Sequence, residues 1–416
     1  MDSGRNQDDE DDERSDFQKV MDLAEENAEF FLDQHNRPYA AVEGDGKTRN
    51  FKISSKQFED WLYYRYYTEH GYAVEKETVK SVSQILEGKT RHEKGQRRLY
   101  NRVALEDNTL WYDLKDGEDQ AVKVTENGWE ITQAPSIFKR FRHQKEQVKP
   151  EEPVEIDRIF EVLNPCLDED QRLLFKVQLI ADFIPKFPHP IVCPHGPQGS
   201  AKTSMHWLMR ELIDPSEMET LAYTTNLKEL TQKLSHHWFA PFDNISNLPV
   251  KVSDFFCRAV TGQGFSKREL YTDDSDIIYK FQRPIGLNGI NTVTQKPDLL
   301  DRTVLYELER ISREERKDEE TLQRTLNEMK PGVLARIFEI ISDAMEIKPE
   351  INLEVKPRMA DFAVWGEAIA RSMDYNELEF LRAYLESIEA GNVEAIESHI
   401  IGKAILELME DRAEWH

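Results

Sequence analysis

Cysteine is scarce. The 416 residues hold only Cys166, Cys193 and Cys257, too far apart for a C-x-x-C pair and too few for an even disulfide framework. They read as buried thiols of a protein kept in a reducing interior, so a cytoplasmic location is expected. Long apolar runs are missing too: no stretch approaches the roughly 18 residues of a membrane span, and no membrane partner is expected. The N-terminus is acidic and polar, which excludes a secretory signal pattern at the start of this sequence. Positive charge is in short supply, with 54 Lys and Arg against 79 Asp and Glu and a formal net charge of −25. That balance excludes a broad basic surface for nucleic acid, and confines any such contact to a local groove or channel. What remains is 39% hydrophobic and long enough for two or three domains with proper cores.

The most informative stretch is a short apolar run, Ile191–Cys193, that leads into a Gly-rich turn and then an apolar helical pattern at Trp207, Leu208 and Leu212. The turn is Gly196, Pro197, Gln198, Gly199, Ser200, Ala201, Lys202, Thr203 and Ser204, a near match to the phosphate-binding pattern G-x-x-x-x-G-K-[ST]. In that setting successive backbone N–H groups cradle phosphates and the helix N-terminus adds its dipole. Lys202 is expected to reach the β- and γ-phosphates of ATP, and the Thr203 hydroxyl to hold Mg²⁺. Ala201 departs from the pattern by standing where a glycine belongs, and a methyl there is expected to keep φ negative.

Around this loop the chain divides into five stretches. Residues 1–15 contain the block Asp8–Glu13 and read as a disordered acidic tail. Residues 16–142 read as an α+β domain. Within it, Ser15 and Gln18 cap a helix with apolar spacing to about Leu32. Strands are expected around the turn at Gly44–Gly46, then an aromatic-rich helix from Ser54 to Gly71 and a helix over 77–86. Four short strands follow, punctuated by Asp107-Asn108, Asp116-Gly117 and Asn127-Gly128. Two basic clusters, 89–102 and 139–145, are candidate phosphate contacts, although a solvated surface is the better explanation for each taken alone. Asp113 is followed two places on by Lys115, so it begins no paired-carboxylate metal site. Residues 143–155 are polar and aperiodic, and read as a linker. The loop lies in an α/β core over 156–310, and residues 311–416 read as a helical lid and tail with helices over 311–329, 333–347 and 359–373.

Within the core, Trp238–Asn244 reads as a strand ending in an acid. Asp243 is the candidate second ligand of Mg²⁺. The next residue is Asn244, where a carboxylate that activates water is usual; an amide orients water but takes no proton. The glycines at 262 and 264 open a projecting hairpin that carries Lys267, Arg268 and Lys280. A further strand ends at Asn288, an amide placed to sense the γ-phosphate. Arg302 follows in Asp298–Arg302, placed to act as an arginine finger. Arg358 precedes the helix over 359–373 and reads as a phosphate contact from the lid or as a cap-region arginine.

The order of these blocks resembles the superfamily 3 branch of AAA+ ATPases, helicases of small viruses, phages and plasmids. The stretches that carry the resemblance are GPQGSAKT (196–203), FAPFDN (239–244), TGQGFSKRELYTD (261–273) and RPIGLNGI (283–290). More narrowly, DNIS (243–246), KPDLLDRTV (296–304) and PRMADFAVWGEA (357–368) look like ATP-binding proteins of prophages and integrative elements, relatives of poxvirus-type helicase–primase C-terminal domains. The resemblance spans roughly residues 95–385. It implies a P-loop NTPase fold, an AAA+-like parallel sheet with helices on both faces. It also implies a ring-forming motor, hexameric or otherwise, that moves on single-stranded or forked DNA, with a primase or other replication partner. Under it, Lys202 and Thr203 bind phosphate and Mg²⁺, Asp243 is the acidic-strand residue and Asn288 the sensor. Arg302 reaches a neighbour's nucleotide, and Lys267 and Arg268 grip DNA. Two other readings stay open: an ATP-dependent assembly switch without turnover, which Asn244 favours, and a small-molecule kinase, which the hairpin and DLLDR stretches argue against.

Overall fold

Ser15 opens the first helix as its spacing to Gln18 implies: the hydroxyl accepts the Gln18 N–H at 3.3 Å. The computed structural model describes residues 14–44, 47–163, 167–268, 276–280, 282–289 and 296–397, with the backbone alone for 265–268, 276–279, 392 and 394–397. The acidic block at residues 8–13, Cys166 and residues 269–275, which include the expected turn of the hairpin, lie outside the described residues. The chain forms two units, residues 1–100 with 135–139, and residues 101–134 with 140–416.

In the first unit, α1 (Asp16–Asn27) stops five residues short of the expected end, and Ala28–Leu32 forms strand β1. Pairing with β2 (Pro38–Gly44) decides this, because it satisfies the backbone while Phe31 is buried against Ala41 and Leu99. β3 (Lys47–Lys52) completes an antiparallel sheet in the order β1-β2-β3. α2 (Lys56–His70) is capped by Ser55, one residue later than expected, and ends at Gly71 with φ 77°. α3 (Lys76–Glu93) follows. Val20, Leu23, Phe58, Leu62, Val79 and Leu86 form the core of this unit.

The second unit starts with an antiparallel meander, β4 (Val103–Glu106), β5 (Thr109–Asp113), β6 (Gln120–Thr125) and β7 (Gly128–Gln133). Asp107 and Asn108 turn the first hairpin with φ of 47° and 57°, left-handed values that Asn and Asp tolerate best among residues with a Cβ. The sequence reading grouped this meander with residues 16–142. Its apolar face instead shares one core with the rest of the second unit, where Tyr112 meets Phe183 and Phe338 at ring-centroid distances of 5.4 Å. The stretch read as a linker is likewise docked: the Gln147 N–H donates to Leu114 O, and the Val154 N–H to Gly332 O.

After α4 (Ile159–Leu163) and α5 (Glu169–Ala181), the loop-bearing strand β8 (Ile191–His195) feeds α6 (Lys202–Ile213). Then come β9 (Leu221–Ala222), α7 (Leu227–His236), β10 (Ala240–Ile245), α8 (Val250–Thr261) and the hairpin β11 (Gly264–Arg268) with β12 (Asp276–Lys280). β13 (Ile285–Gly289), α9 (Pro297–Leu300) and β14 (Thr303–Glu307) close the core. The parallel sheet runs β14-β8-β13-β10-β9. Three helices follow: α10 (Glu319–Ile347), α11 (Ala360–Arg371) and α12 (Glu379–Glu397). α10 replaces the two helices expected at 311–329 and 333–347. Asp318 caps it at the Thr321 N–H, which leaves 309–318 as an irregular strap, and Pro331 sits inside the helix without ending it. No helix among the described residues is long and apolar enough to cross a membrane.

Most of the cations expected to meet phosphate are engaged internally. Arg102 and Arg210 clamp the buried Asp214 at 3.2 and 3.1 Å, and the Trp238 N–H donates to the same carboxylate at 2.8 Å. Arg140 pairs with Asp113 and Asp119, Lys139 with Asp33, Lys89 with Glu25 and Arg97 with Glu29. Burial would push the Asp214 carboxyl up, but Arg210 and Arg102 outweigh it and hold the group down at about 2. A carboxyl lowered by folding stabilises above its unfolded value, near 3.8, and loses that contribution as pH falls towards 2. Acid titration followed by tryptophan fluorescence should therefore show a stability loss on the order of 2 kcal/mol across that window. Arg102→Ala removes one of the two buried arginines that hold Asp214 and should cost about 3 kcal/mol in urea unfolding at neutral pH.

Candidate nucleotide site at the carboxyl edge of the parallel sheet

The turn after β8 takes the shape its glycines allow. Gly196 has φ 138°, and a Cβ there would lie 2.1 Å from the Leu308 carbonyl oxygen, so no other residue fits against the neighbouring strand. Gly199 has φ 83°. Ala201 does not keep the negative φ expected of it: it sits at φ 64°, ψ 24°, as the residue before α6. The loop has kept the left-handed geometry of the missing glycine, and the alanine bears a strain of roughly 1–2 kcal/mol.

The side chains that follow converge. Lys202 folds over the loop and donates to the Gly196 and Pro197 carbonyls at 2.7 and 2.9 Å. The Thr203 hydroxyl donates to Asp243 Oδ2 at 3.2 Å. Asn288 Nδ2 donates to Asp243 Oδ1 at 2.7 Å and to Thr203 Oγ1 at 3.2 Å. Thr203, Asp243 and Asn288 lie 40 and 45 residues apart in sequence and form one hydrogen-bonded triangle. The pairing of β10 with β13 shifts register between Phe242 and Ile245, and Asn244 turns there with φ 59°. Its N–H donates to Asp243 Oδ1 at 2.7 Å, while the residue itself stays exposed at the cavity wall. Beneath the triangle, His206 is fully buried against Gly286, and burial pushes its imidazole down to about 4.

A cavity of about 870 Å³ opens over this cluster. Its polar end is the loop with Asp243, Asn244 and Asn288; Val162, Leu163, Ile311 and Leu322 make an apolar wall, and Glu315, Arg316 and Lys317 lie along the strap. Two buried oxygens at the polar end, Ser200 Oγ and Asn288 Oδ1, have no hydrogen-bond partner among the described residues. Unspent polar atoms beside a cradle of backbone N–H groups fit a bound phosphate and its water. No cluster of three His, Cys, Asp or Glu that would hold a metal occurs among the described residues. Thr203 and Asp243 alone suit Mg²⁺, which takes few protein ligands and completes its shell with phosphate and water.

Other expected site residues lie elsewhere. Arg302 precedes β14, whose Thr303 pairs with Ile191, whereas the phosphate loop leaves the far end of β8. Its side chain is 10% exposed and pairs with Asp298 at 2.9 Å, and Arg358 holds Asp298 and Asp301 from the other side. Lys267 and Arg268 lie on β11, with their side chains outside the described residues, and Lys280 ends β12 exposed. Arg316 and Lys317 fall within the helix expected over 311–329 but lie on the irregular strap before α10. The signal was present: Asp318 three places before Thr321 marks a helix start after them.

The strand order and the strand–loop–helix over Ile191–Ile213 define a P-loop NTPase core of AAA+-like type, with antiparallel sheets before it and helices after it. Residues 156–391, more than half of the chain, match the family described as actinomycete integrative conjugative element replication proteins, and the chain belongs to that family. None of the curated proteins compared with it matches. Among solved structures it is similar to SCCmec type IV Cch, described as an active helicase, at 12% identity and a TM-score of 0.45 over 92% of this chain and 77% of that one. It is also similar to the apo NrS-1 C-terminal region, at 13% identity and a TM-score of 0.47 over 96% and 81%.

Ala201→Gly relieves the left-handed alanine and should raise stability by about 1 kcal/mol. Thermal unfolding of the two proteins should show the gain, with the midpoint of the variant above that of the wild type.

Proposed function

We propose that this chain binds and hydrolyses ATP and acts on DNA as a motor in the replication of a mobile element. The observation that carries the reading is the triangle of Thr203, Asp243 and Asn288 beside the Lys202 loop. In this reading Gly196–Ser204 wrap the phosphates, Lys202 neutralises their charge, and Thr203 with Asp243 holds Mg²⁺. The ion offsets charge that develops on the transferred phosphoryl group. Asn288 turns its free Oδ1 towards the attacking water and orients it. Asn244 offers only an amide, so the proton of the attacking water passes to an oxygen of the transferred γ-phosphoryl group, which becomes inorganic phosphate as ADP leaves, or to a group on a neighbouring subunit. The apolar wall of Val162, Leu163, Ile311 and Leu322 suits a nucleobase.

The motor acts as a ring, hexameric or otherwise. Arg302 lies far from the phosphate loop of its own chain, which supports a role towards a neighbour's nucleotide. Lys267, Arg268 and Lys280 on the hairpin contact the DNA backbone, in keeping with an acidic protein that confines its DNA contacts. The first unit, residues 1–100 with 135–139, supplies a DNA-binding or adaptor function. Asn244 favours a second reading, an ATP-driven assembly switch with little turnover.

Phosphate release with and without single-stranded DNA tests the two readings. Turnover should rise with DNA and fall at least about 100-fold in Lys202→Ala and Asn288→Ala. Arg302→Ala should abolish turnover while leaving ATP binding intact. ATP-dependent assembly in sizing experiments without turnover in any condition would select the switch.

A further inference from the structure

The strap over residues 309–317 touches the phosphate loop directly. The Ile311 N–H donates to Gly199 O at 3.2 Å, and Lys317 Nζ donates to the Glu161 carbonyl. Arg316 lies against Gly199 itself: a Cβ at that glycine would be 2.9 Å from the guanidinium Nη2. The φ of 83° is what calls for glycine at 199, and the absence of a Cβ lets the guanidinium lie against the loop. The guanidinium has no hydrogen bond or ion pair to a described residue. The two acids lining the same cavity accept from neutral donors, Asp243 from three and Glu315 from the Ser312 hydroxyl at 2.8 Å, and neither pairs with Arg316. Lys202, Arg316 and Lys317 thus bring three cations to one cavity against two carboxylates, a surplus of positive charge. Like charges are held together at a cost unless an anion comes between them.

Resting on the nucleotide reading above, we propose that Arg316 is a phosphate-binding residue supplied by the chain's own strap, which settles over the β- and γ-phosphates. Because the strap runs directly into α10, whose Ser342 hydroxyl donates to Thr125 O on β6, the contact ties the phosphates to the helix that supports the meander. Arg313 lies on the same strap and is exposed as Arg316 is, but it does not line the cavity, which makes it the matched control.

Displacement of a fluorescent ATP analogue by ATP, ADP and AMP tests the assignment in the full chain, with circular dichroism melts to establish folding. Arg316→Ala should weaken ATP and ADP by about tenfold or more and leave AMP unchanged, as expected for a lost charge-assisted phosphate contact. Arg316→Lys should retain part of the affinity, because it keeps the charge and loses the fork, and Arg313→Ala should bind as wild type does. If Arg316→Ala binds ATP as tightly as wild type while Lys202→Ala loses it, the assignment is overturned and the nucleotide reading stands. Failure of the wild-type protein to bind ATP would sink both.

Discussion

Three neighbouring parallel strands have to finish side by side for this protein to have a site at all. β8 delivers the phosphate loop, β13 delivers Asn288, and β10 delivers Asp243. The hydrogen bond from Asn288 to Asp243 at 2.7 Å is the tie between the last two. It depends on register, since a slip of one residue would turn Asp243 to the other face of the sheet. The irregularity at Asp243–Asn244 is part of the same arrangement, because the turn at Asn244 brings its own N–H onto the carboxylate that Thr203 and Asn288 also reach. Carboxyl ends of parallel strands are where such folds collect ligand-binding groups, and here each group is held by a neighbouring strand or helix.

Behind that edge, the protein economises on positive charge. An excess of 25 acidic groups leaves few cations to spare, and many of them are locked in pairs. The Arg102–Asp214–Arg210 clamp fastens the meander to the end of α6, the helix that begins with Lys202 and Thr203. Each ion is buried, so the pairing offsets a large desolvation cost, and removing either partner would leave that cost uncompensated. Against this background, an arginine beside the phosphate loop that pairs with no described carboxylate stands out.

The sequence departs from a complete NTPase motif in two places, and the consequences differ. Ala201 keeps the left-handed backbone of a glycine, so its effect is a local strain that the fold absorbs. Asn244 changes chemistry, because its amide cannot accept a proton and its N–H is already committed to Asp243. The shape of the loop is preserved; what differs is the set of groups available to activate water.

Local chemistry made much of this legible in advance. The phosphate loop, the acid at 243, the amide at 288, the Asp107-Asn108 turn and the Ser15 cap each depend on residues within a few positions of one another. Where partners come from far along the chain, local reading failed. β1 was mistaken for helix because β2 supplies its hydrogen bonds, and the meander was assigned to the wrong neighbours because its apolar face meets Phe183 and Phe338. Basic clusters looked available because the carboxylates that neutralise them are distant in sequence. The strap was hidden by an acidic-basic pattern that periodicity cannot separate from a helix. Residue types and turns are written in the sequence; which charges remain unpaired, and which strand ends lie together, is decided only when the chain packs, because both depend on distances between residues that the sequence keeps apart.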